Sequence, residues 1–108
     1  FGAGASQRGL PGDYSSPSRF IRAAYVNANY PAKDDEAANV SRMFHSLAQI
    51  AMVEGGATAY DGKFEKTLYT SCFSAVTRTY YFNTYDDVTI RSYCLDDYPL
   101  EGDRVIEA

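Results

Sequence analysis

One residue in this sequence stands where elementary electrostatics disfavours it. In the stretch from Gly9 to Tyr25, GLPGDYSSPSRFIRAAY, Arg19 falls in the first turn of an expected amphipathic helix. The positive end of the helix macrodipole disfavours a cation there by a few tenths to about 1 kcal/mol. Such a placement raises the question of what anion the cation could serve. Arg22 follows three residues later, and both arginines point away from the apolar Ala24–Ala28 face. Solvation is the plain reading of both, because surface arginines are the default.

The other reactive side chains offer less. His45 is the single histidine, off the apolar stripe of its helix, so neither a Ser-His-Asp set nor a zinc site can be argued. Cys72 and Cys94 lie in strand-like runs and form no CxxC pair, which reads as two buried free thiols. That suits a reducing, cytoplasmic setting. Asp86, Asp87, Asp96 and Asp97 cluster at expected strand ends and read as turn residues rather than a catalytic pair. The run GAGASQRG lacks the Gly-Lys-Ser/Thr of a phosphate loop and follows no strand. Asn39-Val40-Ser41 matches a glycosylation triplet but falls mid-helix, where acceptor sites are not expected. No metal or cofactor is expected from these residues.

The elements that must carry Arg19 are readable from periodicity. Phe1 to Gly12 reads as a loop. Ser16 is an acceptable N-cap with Pro17 at the first helical position, and Phe20, Ala24 and Ala28 share one face, predicting a helix from Ser16 to Tyr30. Asp34 or Asp35 can cap a second helix, Asp34 to Glu54, with a stripe through Val40, Phe44, Leu47 and Ala51. Past Gly56 the period changes to two. Strands are expected over Leu68–Ser74, Thr79–Thr84 and Val88–Leu95, with Asp86-Asp87 turning the last pair. The fold class is therefore α+β: two helices packed on one face of an antiparallel sheet.

Composition excludes several functions. With 45% hydrophobic and 22% charged residues the chain is globular rather than disordered. A net charge of −4 favours neither nucleic acid nor an anionic membrane, and no run is long and apolar enough to span one. Ten tyrosines fit strand content. The chain begins at Phe1 rather than methionine, and such a sheet leaves a face and both edges needing cover, so a piece of a longer protein that self-associates is expected.

GLPGDYSSPSRFIRAAY, together with LYTSCFS and YYFNTYD, resembles the C-terminal part of the choloylglycine hydrolase family, which includes bile salt hydrolases and penicillin V acylases. The run DDEAANVSRMFHSLAQIAMVEGG looks more like the bile salt hydrolase branch. The resemblance implies that residues 1–108 are the C-terminal part of a four-layer αββα N-terminal nucleophile hydrolase domain. It implies a small-molecule amide substrate, an N-terminal cysteine upstream of Phe1, a homo-oligomer (a tetramer) and no catalysis by this piece alone. It assigns one catalytic residue here, Arg19 in Ser-Arg-Phe, beside the cysteine. An arginine plus a helix N-terminus would then stabilise a thiolate. The alternatives are a penicillin V acylase parent and a non-catalytic, self-associating half-domain.

Overall fold

The structure is a computed structural model and describes residues 8–102 and 105. The first seven residues of the expected N-terminal loop, and with them most of GAGASQRG, lie outside the described residues, as does most of the polar tail. The chain forms α1 (Ser16–Asn29), α2 (Glu36–Ala48), β1 (Ala57–Thr58), β2 (Phe64–Glu65), β3 (Tyr69–Ser74), β4 (Thr79–Thr84), β5 (Arg91–Cys94) and a 3-10 turn at Leu95–Asp97. This is the α+β arrangement of two helices and antiparallel sheets that the change of period indicates.

Helix α1 starts at Ser16 as expected, but its cap is one residue earlier than expected. Ser15, not Ser16, is its N-cap, because the Ser15 carbonyl accepts the Arg19 N–H at 3.0 Å. Pro17 then sits within the first turn, where a missing N–H has no intrahelical partner to lose. Asp35 caps α2, accepting the Ala37 N–H at 3.1 Å. The helix ends at Ala48 with Gln49 as C-cap, six residues short of the expected Glu54. Its last turn tightens, with Ile50 N–H on Leu47 O and Ala51 N–H on Ala48 O. The following segment pairs elsewhere: Met52 N–H donates to Thr67 Oγ1 at 2.7 Å and Thr67 N–H to Met52 O at 3.0 Å. Apolar periodicity continued through residues whose backbone partners lie in the strand region.

Strands β3, β4 and β5 form a meander in that order, with Cys72 opposite Tyr81 and Tyr80 opposite Tyr93. β5 starts at Arg91 rather than Val88. The turn after β4 closes on itself, Thr84 N–H bonding Asp87 O at 3.0 Å and Asn83 Nδ2 bonding Val88 O at 3.3 Å, so residues 88–90 have no ladder to join. The small hairpin β1–β2 pairs Thr58 with Phe64 and was not expected; two residues per strand carry too little alternation to detect.

Packing is sparse. Val40 and Phe44 of α2 are the buried hydrophobic side chains among the described residues. The radius of gyration is 17.0 Å, against about 13 Å for a compact domain of 100 residues. α2 lies against β3, and α1 packs on α2. The sheet face toward α2 carries Cys72, Ser74, Thr79 and Tyr81. The opposite face carries Tyr69, Phe73, Tyr80, Phe82 and Tyr93, with Phe82 stacked on both Tyr80 and Tyr93 at centroid distances of 5.9 and 5.8 Å. That face is open, Tyr69 and Phe73 being 61% and 52% exposed.

Candidate functional site

Arg19 sits where the start of α1 meets the end of α2. The first turn of α1 contains no acidic residue, and its N-cap side chain makes no capping bond to the backbone. The compensating charge comes from outside the helix. Asp13, two residues before the cap, accepts the Ser15 N–H at 2.9 Å and the Ser15 hydroxyl at 2.5 Å. The Ser15 and Ser18 hydroxyls hold its carboxyl well below the usual range, at about 2. Ser18, buried, completes the group with its Oγ 3.0 Å from Ser15 Oγ. A carboxylate just outside the helix start favours the dipole and offsets the misplaced cation.

Both arginines of α1 reach carbonyls at and just past the C-cap of α2, where the chain has left the helical ladder. Arg19 Nε donates to Ile50 O at 3.0 Å. Arg22 donates from Nη1 to Pro11 O at 3.0 Å and to Asp13 O at 2.9 Å, and from Nη2 to Gln49 O at 3.4 Å. Neither is the freely solvated surface residue of the plain reading; each is half-buried and bonded to backbone. Among the described residues the two terminal nitrogens of Arg19 have no hydrogen-bond partner. A further tie joins the same segments. A Cβ on Gly56 would stand 2.4 Å from Tyr14 Cε2, so the Tyr14 ring lies directly on the glycine backbone. Nothing in the local pattern around Gly56 reveals that Tyr14, more than forty positions earlier, packs on it.

A second polar cluster fixes the other end of α2. The carboxylate of Glu36 accepts hydrogen bonds from the Ser74 hydroxyl, from Thr77 Oγ1 at 2.9 Å and from the Tyr81 hydroxyl at 2.7 Å. Ser74 first, then Tyr81 and Thr77, hold the Glu36 carboxyl below its ordinary range. The same bond pushes the Tyr81 phenol up. Burial, and secondarily Glu36, push the Cys72 thiol up, which makes it a poorer nucleophile at neutral pH. The cysteines are free and half-buried rather than buried. His45 is exposed. Asp87 accepts the Thr89 N–H at 3.0 Å and pairs with Arg91, and Asp96 pairs with Arg78, so these carboxylates serve turns and exposed ion pairs. Among the described residues no three His, Cys, Asp or Glu side chains converge on a common metal-sized point, and no helix is long and apolar enough to cross a membrane.

The family profile described as linear amide C–N hydrolases, choloylglycine hydrolase family, matches residues 1–107. The chain belongs to the choloylglycine hydrolase family. It is 57% identical over 106 residues to a bile salt hydrolase/transferase of Bifidobacterium longum subsp. longum, covering 98% of this chain and 33% of the relative. It is 42% identical over 106 residues to a conjugated bile acid hydrolase of Lactobacillus gasseri, covering 98% and 34%. Among solved structures, a conjugated bile acid hydrolase from Clostridium perfringens superposes with a TM-score of 0.79 at 32% identity, over 96% of this chain and 32% of that one. A penicillin V acylase from Agrobacterium tumefaciens gives 0.67 at 18% identity, over 84% and 30%, a likeness of fold alone. The chain thus spans about a third of the length of the curated relatives it matches. Few of the described side chains are buried, and large apolar side chains stand exposed on the sheet and on α1.

Proposed function

We propose that residues 1–108 are the C-terminal third of a four-layer αββα hydrolase that cleaves the amide of glycine- or taurine-conjugated bile salts. The observation that carries this reading is the 57% identity to the Bifidobacterium longum bile salt hydrolase/transferase, which extends over 98% of the chain. The nucleophile is an N-terminal cysteine contributed by the rest of the protein. Its thiolate attacks the amide carbonyl, the C–N bond breaks, the amine leaves with a proton, and water releases the acyl group from the thioester.

Arg19 serves this chemistry as the cation beside the thiolate. Its Nε is tethered to Ile50 O, which leaves the planar Nη pair to lower the thiol pKa and to face charge developing on the carbonyl oxygen. The helix start adds a partial positive charge of the same sign. The open aromatic sheet face is the one that the second sheet covers. The protein works as a cytoplasmic homo-oligomer, in keeping with free thiols and with exposed apolar side chains such as Phe20, 73% accessible.

The test is release of glycine or taurine from glycocholate and taurocholate by the full-length protein, with penicillin V as the competing substrate. Hydrolysis of the bile salts, lost when the N-terminal cysteine is alkylated, is the expected result. Hydrolysis of penicillin V with bile salts untouched would assign the acylase activity instead.

A further inference from the structure

We propose that Arg22 is a positioning residue for Arg19, acting through the backbone at the end of α2. The inference rests on the functional reading of Arg19 given above. Arg22 is half-buried and bonds three carbonyls from two separate segments: Pro11 and Asp13 in the loop entering α1, and Gln49 at the C-cap of α2. The next carbonyl along the chain, that of Ile50, is the one that holds Arg19 Nε. The two arginines are three residues apart, so they rise from the same side of α1. One guanidinium therefore fixes the carbonyl row against which the other is aimed.

The geometry explains why an arginine is needed. The three acceptors are shared between Nη1 and Nη2, and a planar fork with several N–H groups can meet them together. A lysine ammonium is a point charge on a flexible stem and cannot span both segments in the same way. Without Arg22, the loop at Pro11–Asp13 and the residues after Ala48 lose their shared donor. Arg19 keeps its charge, but the carbonyl that orients it is free to shift. Misplacement of a catalytic group by about 1 Å can cost up to about 10²-fold in rate. Arg22 does not touch the reacting atoms; its whole effect passes through Arg19.

The test is a double-mutant cycle in the full-length protein, using Arg19→Ala, Arg22→Ala and the double variant, with Arg22→Lys beside them. Arg78→Asn is the distant control; Arg78 has a φ of 53° in the β3–β4 turn, which asparagine tolerates. The readouts are kcat and KM on taurocholate and the pH dependence of alkylation of the nucleophilic thiol by iodoacetamide. Arg22→Ala should lower kcat by about tenfold to 10²-fold, with KM little changed. It should move the alkylation profile to higher pH, in the same direction as Arg19→Ala. In the Arg19→Ala background the same change should add no more than about twofold, the scatter within which such effects are measured, whereas independent sites would show the full loss again. Arg22→Lys should recover part of the rate. Equal losses in both backgrounds, or unchanged kcat and alkylation pH while Arg19→Ala is severe, would overturn the proposal. Should Arg22→Ala not fold, the cycle is run with Arg22→Lys, judged by the same coupling to Arg19. Full activity of Arg19→Ala would instead remove the functional reading itself.

Discussion

Arg19→Ala should separate activity from stability in the full-length protein. On the stability side two terms oppose. Removing a first-turn cation relieves the dipole clash, worth a few tenths to about 1 kcal/mol. It also removes the Nε bond to Ile50 O, at 3.0 Å. A hydrogen bond from a charged donor contributes about 1.5–3 kcal/mol, and partial exposure puts this one at the low end. The two terms leave a net loss of about 0.5–1 kcal/mol, a fall in Tm of no more than about 4 °C for a chain of a few hundred residues. On the activity side, losing a preorganised donor to the developing oxyanion typically costs about 10²–10³ in rate. If Arg19 has the proposed place beside the thiolate, the thiol pKa should rise at the same time, because removing a neighbouring cation disfavours the charged form. Arg19→Lys should restore the charge but only part of the rate. The assay is turnover of taurocholate, iodoacetamide alkylation against pH, and thermal melting on the same preparations. Near-normal turnover with an unchanged thiol pKa would refute the reasoning, and a large fall in Tm would show that the Ile50 tether is structural first.

Other expectations follow from the open packing and from the Glu36 cluster. Phe44→Ala removes one of the two buried hydrophobic side chains among the described residues, and should cost about 3 kcal/mol in denaturant unfolding. Phe20→Ala, at a side chain 73% exposed in this chain, should cost far less; similar losses for the two would mean that α1 and α2 are not packed as described. Because the Glu36 carboxyl titrates below its ordinary value, its contribution is full above the unfolded-state pKa. It is lost as pH falls through the folded one. Glu36→Gln should flatten that acid limb of a melting-temperature profile, and an unchanged limb would exclude Glu36 as its source. Gly56→Ala should displace the Tyr14 ring, read as a lower Tm, since the added Cβ would meet that ring at 2.4 Å. The isolated 108-residue chain should hydrolyse neither taurocholate nor penicillin V and should self-associate through its exposed faces; turnover, or a monomer in sedimentation at high micromolar concentration, would contradict this.

What the sequence by itself determined is what depends on near neighbours. The Pro17 helix start, an aspartate cap at Asp34 or Asp35, the stripe through Val40 and Phe44, and the switch to alternation before β3 are set by residues within a few positions of one another. Family membership was legible for the same reason, as short runs in a fixed order. What only the tertiary structure decided are meetings between distant segments. The end of α2 at Ala48 rather than Glu54 depends on Thr67 pairing with Met52. The start of β5 at Arg91 depends on how the Asp87 turn closes. Arg22 looked like a solvated side chain because its three carbonyl partners are backbone atoms, which every residue carries and no side-chain pattern marks. Glu36 opens α2, and only the strand register shows that Ser74 and Tyr81 face it. Local propensity and periodicity choose the elements; the pairing of backbone groups far apart in sequence chooses where each element stops and which way Arg19 is held.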